Sequence, residues 1–339
     1  MSIMKAAVLH GALNMKVEEW TEQTPGKQEV LLQVACCGIC GTDQHIYHGH
    51  PGSAEVNPPI VLGHELSGVV VAVGEGVSTL QQGDRVSVDP NIYCGACEYC
   101  RNGLAHLCDK LNAVGVTRDG GMAERCVVPA ANCYKLPEHV SMIEGAMVEP
   151  LGCVLHGYKK LDLRANHHVL ISGGGFIGQL FLQLVKAAGV THITVSEPNQ
   201  NKHELLRTLG ANHVVSPFDP NEAAGLQNSA DIVIECVGRP ESVELAIKAA
   251  RKGAQVLIFG VASPDAQACF SPFDVFSKEL RIMGSFINPY THEEAIALIA
   301  QNIVQIEPLI SHRIQIDELP EFMTSYSKLN VTKAMIIPS

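Results

Sequence analysis

The sequence is poor in aromatic and basic side chains. Phe, Trp and Tyr make up 5% of its 339 residues, with a single Trp, and 24 Lys and Arg stand against 35 Asp and Glu, a formal net charge of -11. Nothing in it forms a basic block, so nucleic acid and anionic membrane surfaces are not expected partners. No apolar run reaches the ~20 residues of a membrane span. The first residues, MSIMKAAVLHGALNMKVEEW, show no charged head followed by an apolar stretch of signal length. The expected location is the cytoplasm. Internal repeats and low-complexity linkers are absent too, while the length exceeds one ordinary hydrophobic core and suits two domains.

Cysteine, in contrast, is plentiful, with twelve residues. In a reducing compartment they do not read as a disulfide framework, which leaves metal ligands, a catalytic thiolate or small buried side chains. Four of them fall within fifteen residues and one lies in a Gly-rich turn. The scattered remainder, Cys36, Cys37, Cys126, Cys133, Cys153, Cys236 and Cys269, read as small hydrophobes.

The first 150 residues hold short β segments punctuated by Gly and Pro: MKAAVLH, EVLLQVACCG, LSGVVVAVG, DRVSVDP and ERCVVPA. This spacing predicts a small β-barrel or sandwich with long functional loops. Beyond about Val154 the pattern changes to apolar strands alternating with helices. Strands are expected at 168–172, 192–196, 213–215, 231–235, 255–259 and 281–284, with helices up to Ala188, at 202–209 and at 242–250 between them. Alternation of this kind with nearly all-apolar strands predicts a parallel sheet covered on both faces, so the fold class is α/β. A helix at 291–301 and short β pieces ending in Lys333-Ala334-Met335-Ile336-Ile337 read as a tail returning to the first domain. The expected domains are 1–155, 156–287 and the return 288–339.

Gly173-Gly174-Gly175-Phe176-Ile177-Gly178 matches G-x-G-x-x-G, with a strand before it, a helix after it, and Glu197 at the end of the next strand. Gly173 would allow the tight turn, Gly175 the approach of a pyrophosphate, and Gly178 close packing of helix on strand. A carboxylate at Glu197 suits ribose hydroxyls and repels a 2′-phosphate. No Arg follows in Pro198-Asn199-Gln200-Asn201, so NAD is expected over NADP. Lys202 is a further candidate for the same ribose.

Cys94, Cys97, Cys100 and Cys108 form C-x2-C-x2-C-x7-C. Four thiolates on such short loops can close a tetrahedral shell around Zn2+ with no open position, which describes a structural site. A second set is spread out: Gly38-Ile39-Cys40-Gly41-Thr42-Asp43-Gln44-His45, then Gly63-His64-Glu65, then Val148-Glu149-Pro150-Leu151. Thiolate, imidazole and carboxylate make the mixed donor set of a catalytic zinc that keeps one position for water or substrate.

Taken in order, G-I-C-G-T-D-x-H, G-H-E, the four-cysteine motif, E-P-L and G-x-G-x-x-G resemble the zinc-dependent medium-chain dehydrogenase/reductase superfamily over essentially the whole chain. Within it the chain is most similar to the polyol branch of sorbitol, xylitol and arabinitol dehydrogenases, with threonine and butanediol dehydrogenases as neighbours. The resemblance implies a GroES-like catalytic domain, a Rossmann domain, a cleft between them and a homodimer or homotetramer. It implies catalytic zinc on Cys40 and His64, with Glu65 or Glu149 as the exchangeable carboxylate, and Asp43 orienting His64. Cofactor contacts follow at Gly173, Gly175, Ile177, Gly178, Glu197, Lys202, Val237, Gly260 and Phe286.

The implied chemistry is hydride transfer from a secondary alcohol to NAD+, the zinc lowering the pKa of the substrate hydroxyl. Thr42 would take the proton, and the resemblance continues the relay to His45, whose titration range suits a terminal acceptor. The expected substrate is a C5 or C6 polyol oxidised to a ketose. A threonine or small-diol dehydrogenase is the nearest alternative, and a non-catalytic NAD- and zinc-binding redox sensor is the alternative of another class. Animal-type sorbitol dehydrogenases carry an Arg-Tyr pair after the Phe of the returning strand, where this chain reads Phe286-Ile287-Asn288-Pro289. Asn288, Gln44 and Arg118 stand as candidate hydroxyl partners.

Overall fold

The computed structural model describes residues 2–338. It divides into two compact units, one built from the chain up to Gly152 and again from Ile287 onward, the other from Cys153–Phe286.

In the first unit the strand Glu29–Ile39 is the organising element. Its Val, Leu and Ile side chains are almost all buried, so both edges must be paired and both faces covered. Glu65–Val73 pairs antiparallel along its length, Arg125–Pro129 along its first half, and Ala334–Ile337 along its last residues. The sheet runs Cys133–Lys135, Arg85–Val88, Glu65–Val73, Glu29–Ile39, Ala334–Ile337, His312–Gln315. A second sheet, of Asn14–Thr21, Ile3–Gly11 and Ile60–Val61, is joined to it by the bridge between Ala6 and Ala123.

Asn14–Thr21 is a strand absent from the sequence reading. Only Met15 in it is fully buried, so its alternation is weak, and its hairpin turns through Leu13 at φ 58° rather than through the Gly or Asn that signals such a turn.

The returning tail is held by apolar and polar contacts alike. Ile314, Ile316, Leu319, Phe322, Met323, Ala334 and Ile336 share one core with Val30, Leu32, Val34 and Ile39. Asn288 is completely buried: its Oδ1 accepts from Asn91 Nδ2 at 2.7 Å and its Nδ2 donates to Asp89 Oδ1 at 3.3 Å. Thr291 Oγ1 donates to the Gly152 carbonyl at 2.9 Å, and His292 Nε2 lies 2.8 Å from Ser87 Oγ. Asn288 therefore cements the tail to the sheet and is not placed to meet a substrate hydroxyl. Arg118, paired with Glu29 at 2.9 Å, and Gln44, whose amide donates to Met323 Sδ at 3.0 Å, are likewise engaged within the unit.

The second unit is a six-stranded parallel sheet in the order His213–Val215, His192–Ser196, His168–Ser172, Ala230–Glu235, Ala250–Ile258, Arg281–Gly284. In chain order this is third, second, first, fourth, fifth, sixth, the doubly wound arrangement, with its switch point between the first and fourth strands. The central strands are buried on both faces, which is why their sequences are continuous apolar runs. The fifth strand begins at Ala250 rather than Gln255, and the helix before it ends at Ala249. The exposed Arg251, Lys252 and Gly253 hide that extension from an apolar pattern.

Candidate zinc and nucleotide sites

The four clustered cysteines converge, with one sulfur from each within 4.8 Å of the others. Their local turns supply donors. Cys94 Sγ accepts from the backbone N–H of Ala96 and Cys97 at 3.5 and 3.3 Å, and Cys108 Sγ from those of Cys94 and Lys110 at 3.4 Å. The Ala96 and Cys97 N–H groups bring the Cys94 thiol down to about 6, whereas burial and the neighbouring sulfurs push that of Cys100 up to about 12, so the cluster favours a thiolate at Cys94 while a metal must draw the proton from Cys100. The chemistry and convergence of this donor set fit a structural zinc.

The second candidate centre is assembled by sheet register. Cys40 follows the strand Glu29–Ile39 and caps the helix Gly41–Tyr47, while Glu65 opens the neighbouring strand opposite Gly38. Cys40, His64 and Glu65 bring one donor atom each to within 4.8 Å of one another. Asp43 is completely buried and holds two of the three in place. Its Oδ2 accepts from the Cys40 backbone N–H at 2.8 Å, and its Oδ1 stands 3.4 Å from His64 Nδ1, leaving Nε2 for a metal. Burial disfavours charge on the His64 ring, but Asp43 and Cys40 outweigh it and hold its pKa well above the usual imidazole range, so the pocket welcomes positive charge.

Glu149 sits in the first turn of the helix Val148–Tyr158, 6% exposed, and does not join this three-residue group. Thr42 and His45 lie on the same short helix as Asp43 and are half-buried. Burial lowers the pKa of His45, and nearby His50 and His48 lower it further.

Lys333 heads the terminal strand expected from the sequence but is not among the site residues expected from it. It is 4% exposed, and its Nζ donates to Glu65 Oε1 at 2.7 Å. Register puts it there. Ala334 lies opposite Ile39, so the preceding Lys333 reaches the end of the strand at Cys40. A lysine at the head of an otherwise apolar terminal strand was the available signal. With His64 neutral, as a metal ligand must be, Cys40 as thiolate, Asp43 and Glu65 carry three negative charges against the single positive charge of Lys333, an imbalance that a divalent cation would cancel. The residues present therefore fit zinc.

In the nucleotide unit, Gly173 lies at φ 98° in the turn after the first strand, and a Cβ on Gly178 would overlap the Gly173 carbonyl oxygen. A Cβ on Gly175 would meet nothing within 4 Å, so the space before the helix Phe176–Ala187 is an open cradle at a helix N-terminus. Phe176 is buried and Ile177 half-exposed on the first turn. Glu197 is 6% exposed; its Oε2 accepts from the Gly174 N–H at 2.9 Å and its Oε1 from the Asn199 N–H at 2.8 Å, so it ties the Gly-rich turn to the end of the second strand. Lys202 closes the turn Gln200–Lys202 and is half-buried. Val237 and Phe286, 42% and 41% exposed, and Gly260 all follow C-terminal ends of strands in this sheet. This cradle fits a dinucleotide.

Comparison with known proteins places these features in a family. Residues 26–138 match the Alcohol dehydrogenase GroES-like domain, and residues 177–301 match Zinc-binding dehydrogenase. The chain is 35% identical to 2-dehydro-3-deoxy-L-galactonate 5-dehydrogenase of Pseudoalteromonas atlantica over 314 residues, 91% of each chain. With Sorbitol dehydrogenase of Bos taurus it shares 33% identity over 339 residues, 97% of this chain and 94% of the relative. Among solved structures, a Sinorhizobium meliloti 1021 protein of the zinc-binding dehydrogenase type, bound to NADP, superposes with a TM-score of 0.95 at 37% identity, covering 100% of both chains. The chain belongs to the zinc-binding alcohol dehydrogenase family, and it is an oxidoreductase with a GroES-like domain and a Rossmann-type domain.

Proposed function

We propose that this enzyme oxidises a secondary alcohol of a C5 or C6 polyol to a ketose with NAD+ as hydride acceptor. The observation that carries the reading is the convergence of Cys40, His64 and Glu65 around a charge deficit fitted to a divalent cation. When bound, zinc supplies Lewis-acid polarisation of the substrate hydroxyl and NAD supplies the hydride acceptor. Cys40 and His64 hold the metal, and Glu65 or Glu149 serves as its exchangeable carboxylate. Thr42 takes the hydroxyl proton and His45 passes it to solvent. A depressed pKa keeps His45 neutral and ready to accept at neutral pH.

The polyol class is supported by the sorbitol dehydrogenase relative and by the sugar-acid dehydrogenase relative, both of which match more than nine-tenths of this chain. NAD is supported by the carboxylate at Glu197 and by the absence of Arg from Pro198–Asn201. The Sinorhizobium protein binds NADP, so the comparison of kcat/KM with the two cofactors is decisive: a higher value with NADP+ overturns NAD. Phe270, Phe273 and Phe276, just before and on the helix Pro272–Lys278 that leads into the edge strand, are 46%, 70% and 77% exposed, in keeping with burial in a homodimer or homotetramer.

The test of substrate class is NADH formation across pentitols, hexitols, threonine and butanediol. The proposal requires the highest kcat/KM with a polyol. Preference for threonine or butanediol replaces the polyol with an amino alcohol or small diol, and no turnover by zinc-loaded protein favours the redox sensor.

A further inference from the structure

Glu235 is a buried carboxylate to which the sequence reading gives no role. It ends the fourth strand of the nucleotide sheet, is 0% exposed, and has no cation among its bonding partners in the described residues. Its Oε1 accepts from the backbone N–H of Val237 at 2.7 Å and of Gly238 at 2.9 Å, and lies 2.7 Å from the Ser242 hydroxyl, whose single proton it shares with the Arg239 carbonyl at the same distance. Its own carbonyl accepts from the N–H of Phe259 and Gly260, both at 2.9 Å, after the fifth strand. The side chain thus fixes the turn after the fourth strand, and the backbone beside it joins that turn to the one after the fifth.

These turns are pressed together around it. A Cβ on Gly260 would overlap the Gly238 nitrogen and come 2.8 Å from Glu235 Oε2, and a Cβ on Gly238, at φ 74°, would come 2.5 Å from the Val261 carbonyl oxygen. A Cβ on Gly173 would come 2.8 Å from Val237 Cγ2, so the Gly-rich turn abuts the same cluster. Oε2 is buried without a hydrogen-bond partner among the described residues. Keeping a carboxylate at this cost makes sense where its acceptor oxygen is indispensable.

The doubly wound order says what the cluster faces. Such sheets bind dinucleotides outside the carboxyl ends of their strands, with one mononucleotide half over each side of the switch point. Glu197 marks the first-second-third strand side as the adenosine half, so the turns after the fourth and fifth strands meet the nicotinamide half. We propose that the Glu235 side chain is a positioning group for the nicotinamide half of the cofactor, acting through the Val237-Gly238 turn, against which Gly260 packs. The inference rests on the dinucleotide reading given above.

The test compares NADH with ADP, which lacks the nicotinamide and its ribose, by titration against zinc-loaded protein. Glu235→Ala should weaken NADH by more than about tenfold and ADP by less than about twofold. Glu235→Gln, whose amide oxygen can accept from the same donors, should hold NADH within about threefold of wild type. Equal weakening of both ligands by Glu235→Ala, or unchanged NADH affinity, overturns the proposal. Should Glu235→Ala fail to fold, Ser242→Ala decides, since it removes the hydroxyl beside Oε1: a loss confined to NADH supports the role, and a loss shared by both ligands or no loss overturns it. Wild-type protein that binds neither NADH nor NADPH overturns the dinucleotide reading itself.

Discussion

The Lys333 ammonium donates to the Glu65 carboxylate at 2.7 Å inside a pocket where neither residue is more than 4% exposed. The pair brings the final strand of the chain to the candidate metal centre, and it would leave Glu65 balanced between an ammonium and the cation that Cys40 and His64 would hold. Removing one member of a buried pair leaves an uncompensated charge, which costs about 3–5 kcal/mol. Lys333→Met should therefore destabilise the metal-free protein by about that amount and the zinc-loaded protein by much less, because the ion takes over the neutralisation. Urea unfolding with and without chelator measures both. Equal destabilisation in the two states would show that Lys333 does not share the neutralisation with the metal.

The cysteine cluster is separable from the chemistry. Cys97→Ser should reduce the zinc content by one ion per chain, lower the melting temperature, and leave the zinc held by Cys40 and His64 in place. Elemental analysis of the purified protein reads the stoichiometry.

His292 is buried beside Ser87 and Tyr134, and desolvation pulls its pKa down to about 3. The unfolded chain therefore binds a proton that the folded one refuses between about pH 6.5 and 3, so this residue's contribution to stability is complete above the upper value and lost as pH falls. The slope is about 1.4 kcal/mol per pH unit. His292→Gln should flatten the acid limb of the stability profile by that slope, whatever it does to stability at pH 7.

Loss of His45 should leave zinc content and cofactor affinity unchanged while slowing oxidation near neutral pH, with the rate recovering as pH rises and hydroxide replaces the missing acceptor. A pH-rate profile of His45→Ala that overlays wild type removes His45 from the relay.

Local chemistry was legible in the sequence because it is local. The four cysteines lie within fifteen residues, and the Gly-rich turn carries its strand and helix beside it, so spacing alone conveys their geometry. Contacts made by register across the chain were not. Lys333 and Glu65 are 268 positions apart, and no periodicity links them until Ala334 is seen opposite Ile39. Asn288 read as a candidate for substrate because polar residues near a predicted junction look available, yet tertiary packing gives its amide to Asp89 and Asn91. Asn14–Thr21 escaped because Leu13 takes a turn conformation usually marked by glycine or asparagine.

The most direct test of a zinc centre at Cys40, His64 and Glu65 serving alcohol oxidation is the rate of NADH formation from a pentitol or hexitol in three states of one preparation: zinc-loaded, chelator-treated and reloaded. The rate should fall to background when the exchangeable zinc leaves, return with added zinc, and stay at background in Cys40→Ser whether or not zinc is supplied. Turnover that persists in Cys40→Ser, or in protein shown to hold only the cysteine-cluster zinc, would contradict the account.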